Sequence, residues 1–110
     1  MKIVVVGASG AVGRTAVEAL GSGHDIVAVG KTSGDIRMNI EDLDDIRAMY
    51  KQVGKVDAVI SAVGHVHFGP VDEMSGDQFM QGMYGKTLAQ VNLVLEGIDF
   101  VNDGGSFTLT

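Results

Sequence analysis

Three glycines at intervals of three, Gly7, Gly10 and Gly13, stand directly behind the apolar run Ile3 to Val6 and ahead of a helical pattern. A backbone free of side chains lets a pyrophosphate come close. A helix starting there aims free N–H groups and its positive dipole end at the anion. The donors would be the Ser9 hydroxyl and the amides after it, those of Gly10, Ala11, Val12 and Gly13. The spacing is Gly-x-x-Gly-x-x-Gly, not the commoner Gly-x-Gly-x-x-Gly, and its weight comes from its position between a strand and a helix. The bland alternative is a tight strand-to-helix turn that binds nothing.

Other reactive residues are fewer. His65 and His67 are one residue apart, but no cysteine or third histidine lies nearby and His24 is in a different loop. They read as loop or substrate-pocket residues, and no metal site is expected. The run Glu41, Asp42, Asp44, Asp45 reads as an anionic helix start. Met74, Met80 and Met83 read as core or interface filler.

The elements that must position these residues follow from patterning. Ile3 to Val6 and Ile26 to Val29 are short continuous apolar runs, as strands buried on both faces require. Ala11 to Leu20 predicts a helix with Val12, Ala16, Val17 and Leu20 inward, ended by Gly21-Ser22-Gly23. Ile36 to Ile40 predicts a more polar edge strand. Asp42 predicts an N-cap before the stripe Leu43, Ile46, Met49, Tyr50, Val53. Val56 to Ile60 predicts a fourth strand. Ser75-Gly76-Asp77-Gln78 has capping-box spacing and opens a long helix reaching Ile98, with Phe79, Met83, Thr87, Leu88, Val91, Leu95 and Ile98 inward. Gly82 and Gly85 interrupt it and mark close packing. Ser106 to Thr110 predicts a fifth strand. Strands alternating with helices imply parallel pairing with right-handed crossovers, in a single domain spanning residues 1–110.

Composition narrows the function. A net charge of −6 argues against wrapping nucleic acid or lying on an anionic membrane, yet leaves room for a phosphate-rich cofactor held by local dipoles. The absence of cysteine excludes disulfides and thiolate metal sites. Met1 leads straight into a strand, so no signal peptide is expected, and no apolar run approaches membrane-spanning length. A soluble cytoplasmic protein is the expectation.

Further motifs extend the match. Gly7 to Gly13, the strand end Asp57 to Gly64, the segment Gln90-Val91-Asn92-Leu93 and the stretch Gly104 to Thr110 together resemble the N-terminal half of a short-chain dehydrogenase/reductase. Small bacterial members are the nearest in kind. The resemblance covers the whole chain. It implies an α/β fold, a Rossmann-like doubly wound parallel sheet of about five strands in order 3-2-1-4-5, truncated relative to the full family fold.

The resemblance also implies a cofactor. After the second strand an acidic residue selects NAD, whereas a cation with hydroxyls suits the 2′-phosphate of NADP. Here Gly30 is followed by Lys31, Thr32 and Ser33, with no carboxylate until Asp35, so NADP is preferred. The alternative is a solvated polar loop. Arg14 is a possible assistant or a plain surface residue. Asn39 and Ile40 occupy the family's adenine contact. Ser61, Ala62, Val63 and Gly64 stand where the family has Asn-Asn-Ala-Gly, small enough for a ribose and equally suited to plain packing.

The departures concern catalysis. The family's Tyr-x-x-x-Lys pair is absent: neither Tyr50 nor Tyr84 has a lysine four residues on. The family asparagine of the fourth helix aligns with Lys86, and Thr110 stands near the expected serine. Only supporting roles are open to those two. The implied function is an NADP-dependent oxidoreductase acting on a small carbonyl or alcohol substrate, this chain supplying the dinucleotide-binding part and being inactive alone. The alternatives are a non-catalytic dinucleotide-binding sensor or regulatory module, or a fold fragment without a role. A partner is expected, either a second copy or the remainder of a longer chain, because a bare fifth strand would expose a sheet edge.

Overall fold

β1 (Lys2–Val6) lies at the centre of the sheet, and its sequence explains why: Val4 and Val5 are fully buried, one toward each face. It pairs in parallel with β2 (Asp25–Gly30) on one side and β4 (Val56–Ser61) on the other. β3 (Ile36–Arg37) and β5 (Val101–Thr108) complete a five-stranded parallel sheet in order β3-β2-β1-β4-β5. This is the expected Rossmann-like order. The computed structural model describes all of residues 1–110.

The helices divide between the faces. α1 (Ala11–Leu20) connects β1 to β2 and covers one face. α2 (Leu43–Val53) connects β3 to β4, crossing in the opposite direction, and right-handed crossover puts it on the other face. There it meets a long broken helix made of α3 (Gly76–Gly82), a π-helical segment (Met83–Leu88) and α4 (Ala89–Gly97). A 3₁₀ turn at Val71–Glu73 precedes α3. The core cluster sits on this face, with Val4, Val6, Val29 and Val59 of the sheet against Ile46, Met49, Tyr50 and Leu93.

Asp42 caps α2 as predicted, its Oδ1 accepting from the amides of Asp44 (2.9 Å) and Asp45 (3.3 Å). The capping box of Ser75 and Gln78 is formed in both directions.

Tyr50 locks α2 to α4. Its ring stacks on Phe100, with centroids 5.3 Å apart, and its hydroxyl donates to the Leu93 carbonyl at 2.6 Å. Burial pushes the phenol pKa up, so this proton stays in place. A Cβ on Gly97 would collide with the Tyr50 hydroxyl. Tyr50→Phe is expected to cost about 1 kcal/mol, one hydrogen bond, and Gly97→Ala about 2–3 kcal/mol through overpacking. Urea unfolding of both variants checks that ranking.

Four expectations change in detail. Val12 does not face inward but is 63% exposed; Gly13 takes the place against the sheet, with Ala16, Val17 and Leu20 partly covered beside it. The third strand stops at Arg37, short of Ile40. Met38 N–H still reaches the Gly30 carbonyl, but the Asn39 amide donates to Asp45 Oδ2 and its carbonyl accepts from Asp42, which bends the chain into the α2 cap.

The long helix turns an unexpected face to the sheet. Gly85, Ala89, Gln90, Leu93 and Gly97 are buried, whereas Phe79, Met83, Thr87, Leu88, Val91, Leu95 and Ile98 are all exposed. Close approach selects the small residues. A Cβ on Gly85 would lie 2.7 Å from the His65 carbonyl oxygen. The fifth strand starts at Val101, ahead of Ser106. Its register runs Val56↔Val101 and then Ala58↔Ser106, so residues between them bulge from the edge.

Asp57 holds that irregular edge. Its carboxylate accepts from the Lys2 amide (2.8 Å) and from Asn102 Nδ2 (3.1 Å), and these hydrogen bonds lower its pKa from 3.8. A depressed carboxylate stabilises the fold above its unfolded pKa, and that contribution fades as pH falls through the folded value. The stability gap between wild type and Asp57→Asn is therefore expected to be widest near neutral pH and to narrow as pH falls through and below the ordinary carboxylate range. Urea midpoints across that range test it.

Candidate functional site

The turn between β1 and α1 uses its glycines unequally. Gly7 has φ +83°, and a Cβ there would run into the Val63 side chain and lie 2.8 Å from the Ala62 carbonyl oxygen. Gly13 lies so tightly on the turn that a Cβ would strike the Gly7 carbonyl. Both are demanded by the fold. Gly10 is not: its φ is −73°, and the nearest atom to a built Cβ is 3.5 Å away. Nothing within the protein requires a glycine there.

The donors beside it are unspent. The Gly10 amide turns back to the Gly7 carbonyl at 3.1 Å and the Arg14 amide reaches the Gly10 carbonyl at 2.8 Å. The amides of Ser9, Ala11, Val12 and Gly13 meet no acceptor in the protein, and no side chain caps the helix. No acidic residue occupies its first turn. Four N–H groups around this helix start therefore lack a partner in the protein, as an anion site requires.

At the carboxyl ends of β1, β2 and β4 opens a cleft of about 540 Å³, within the usual range for small-molecule sites. It lies where the sheet order changes direction between β1 and β4, the place where open α/β sheets hold ligands. Gly7, Lys31, Asn39, Ile40, Val63 and Gly64 all line it, brought together from four separate stretches of chain. Ser9 and Ser33 line an adjoining hollow of about 180 Å³ that shares Gly30 with the cleft. Gly10, Ala11, Val12 and Thr32 are exposed and line neither of the two, and Gly13 is buried beneath the turn. Ala62 contributes its carbonyl to the packing under Gly7. Ser61 is fully buried, its hydroxyl without a partner, and lines no part of the cleft.

Two weaker candidates lie elsewhere. Lys86 lines a second hollow beyond Gly64. Thr110 is clamped through its main chain by Gln90, at 3.0 Å to its amide and 2.7 Å from its carbonyl. Val6, Gly30, Met38, Glu41 and Gly85 also line the cleft without a binding role expected from the sequence, and His65, expected in a loop or substrate pocket, lines it too. Glu41 had a better explanation as a helix-start acid. Only the early stop of β3, which turns the chain back toward the cleft, brings it there.

Charge in the cleft is sparse and unpaired. Lys31 has no acidic partner within ion-pair distance. The first carboxylate after β2, Asp35, is committed to the Ala28 amide at 2.9 Å. Neither tyrosine lines the cleft: Tyr50 is in the core and Tyr84 on the outer face.

The family model for the NAD dependent epimerase/dehydratase family matches residues 3–94, the turn, the three cleft-forming strand ends and most of the broken helix. The chain belongs to this family. Its solved structural relatives include the Listeria innocua protein lin1944, at 43% identity and TM-score 0.94 over 97% of this chain and 54% of that one. A small-chain dehydrogenase in complex with NADPH matches at 20% identity and TM-score 0.86, over 97% of this chain and 48% of that one. A Serratia marcescens short-chain dehydrogenase/reductase matches at 18% identity and TM-score 0.83, over 96% and 53%. Among curated proteins none matches. This member of the epimerase/dehydratase family spans about half the length of those solved chains, and its fold is that of the N-terminal half of short-chain dehydrogenases.

Proposed function

We propose that the chain is the dinucleotide-binding part of an NADP-dependent oxidoreductase acting on a small carbonyl or alcohol compound. The observation that carries this reading is Gly10, a glycine the fold does not need, beside four amides without acceptors. A pyrophosphate over the β1–α1 turn accounts for both facts.

The residues fit such a cofactor. The amides of Ser9, Ala11, Val12 and Gly13 would hold the pyrophosphate, Asn39 and Ile40 the adenine, and Val63 and Gly64 the adjoining ribose. The bound nicotinamide supplies or accepts hydride. This chain's residues grip and align. No proton-moving role is assigned to a tyrosine here: the Tyr50 proton is held by a core carbonyl and Tyr84 does not line the cleft.

Preference for NADP is supported by Lys31, unpaired at the end of β2, and by Asp35 facing away into the strand. The NADPH bound to one structural relative is consistent with it. Lys31→Asp is expected to weaken NADPH binding about tenfold or more while leaving NADH binding within about twofold. Fluorescence titration with both nucleotides checks this; equal losses for both would remove the 2′-phosphate assignment.

Lack of a tyrosine in the cleft favours, as a second reading, a non-catalytic dinucleotide sensor. Carbonyl reduction by the purified chain would exclude it. In either reading we assign the protein to the cytoplasm, and no helix is long and apolar enough to cross a membrane. A second copy of the chain is the partner we assign to the exposed face of the broken helix.

A further inference from the structure

Lys86 is the only Lys or Arg from residue 56 to residue 110, a stretch holding seven Asp and Glu. In so acidic a neighbourhood a half-buried lysine would be expected to find a carboxylate. It has none within ion-pair distance and makes no side-chain hydrogen bond to the protein. Its position explains where the charge is spent instead.

The Lys86 stem lies across Gly64, with Cγ 2.6 Å and Cδ 3.0 Å from where a Cβ would stand. Gly64 lines the dinucleotide cleft, and Lys86 lines the next hollow, of about 240 Å³. One side chain is thus the partition between two cavities. Val66, Met74, Phe79 and Met83 give the second its apolar lining, with His67, Gln78 and Thr87 the other polar groups at the wall. The π-helical segment makes this arrangement, because Lys86 lies within it, next to the buried Gly85.

From this geometry we infer that the second hollow binds a small carboxylate with an apolar body, the carboxylate on Lys86 and the body against Phe79 and Met83. A monoanion matches the single lysine of this wall, whereas a phosphate dianion would call for a second cation. As to its role, the inference rests on the dinucleotide reading above: the hollow adjoins the cofactor cleft, so the ligand would be a substrate carrying a carboxylate. Binding itself does not depend on that reading.

The test uses hexanoate and hexan-1-ol, equal in chain length and different in charge, titrated into the purified chain and followed by amide chemical shifts. Hexanoate is expected to bind about tenfold more tightly than hexanol and to move the amides of Val66, His67 and Lys86. Lys86→Met should abolish that preference and leave hexanol binding unchanged, and Lys86→Arg should restore it. Inorganic phosphate should not displace hexanoate. Equal binding of acid and alcohol, no binding of either, or a preference that survives Lys86→Met would overturn the assignment. NADPH titrated into the same samples separates the two claims: loss of nucleotide binding with the hexanoate preference intact refutes the cofactor reading alone.

Discussion

Gly10→Val is expected to abolish most dinucleotide binding and leave the fold intact, while Gly13→Ala is expected to damage the fold itself. The two positions are three residues apart in one motif, yet the packing around them differs. At Gly13 a single methyl strikes the Gly7 carbonyl oxygen, and it would also lie 2.7 Å from the Gly7 carbonyl carbon. All the nearest atoms are backbone of Gly7 and Ala8, which leaves no flexible side chain to yield. Overpacking of that kind costs about 3 kcal/mol, a large part of the roughly 5–15 kcal/mol that holds a small domain. The melting temperature should fall by about 10–20 °C. At Gly10 the nearest atom to a built Cβ is 3.5 Å away and the backbone is in an extended conformation open to any residue. Valine there should change stability by less than about 1 kcal/mol. Its methyls would occupy the space before four unpaired amides, and NADPH affinity should drop about tenfold or more. Thermal melts and fluorescence titration of the two variants give a crossed result: stability lost in one, binding lost in the other. Loss of both properties in both variants would mean that the turn is structural throughout.

That contrast marks what the sequence can disclose. The motif was legible because Gly7, Gly10 and Gly13 fall between a buried strand and a helix, and periodicity alone identifies both. Cap residues were equally legible, since Asp42 and Ser75 act through hydrogen bonds to amides two and three residues away. Sheet order followed from right-handed crossovers together with the resemblance. Facing of the broken helix was not legible. An apolar stripe from Phe79 to Ile98 ordinarily marks the inside of a helix, and here the inner face is made of Gly85, Ala89, Leu93 and Gly97 because the helix lies close to α2 at Tyr50 and to the segment after β4 at His65. Gly82 and Gly85 signal close packing in the sequence, but which face packs depends on Tyr50 and His65, far away in the chain. Glu41 and His65 enter the cleft for the same kind of reason, through where the strands end.

The outward stripe leads to the second large effect. Leu88, Val91, Leu95 and Ile98 are between 40% and 63% exposed along one helix, and with Met80 and Met83 they form an apolar face too continuous for a lone surface. Burying one such side chain contributes about 1.5–3 kcal/mol. A pair of copies meeting through this face is expected, with a dissociation constant in the micromolar range or below. Val91→Glu combined with Leu95→Glu would place four carboxylates in the paired surface and should weaken association at least about a hundredfold. Sedimentation at several concentrations gives the comparison. Wild-type protein that stays monomeric throughout would leave the stripe without its assigned partner. The Arg47–Glu96 pair beside it, at 3.0 Å with Arg47 half-exposed, should matter little: Arg47→Ala is expected to leave the urea midpoint nearly unchanged.

Amide chemical shifts of Gly7 to Gly13 during NADPH titration reach the central claim most directly, because they report on the very N–H groups said to be waiting for an anion. The account predicts that Ser9, Ala11, Val12 and Gly13 move first and furthest, with Lys31 following when the 2′-phosphate is present and still when it is not. Shifts confined to residues outside the β1–α1 turn, or no shift at all at millimolar nucleotide, would contradict it.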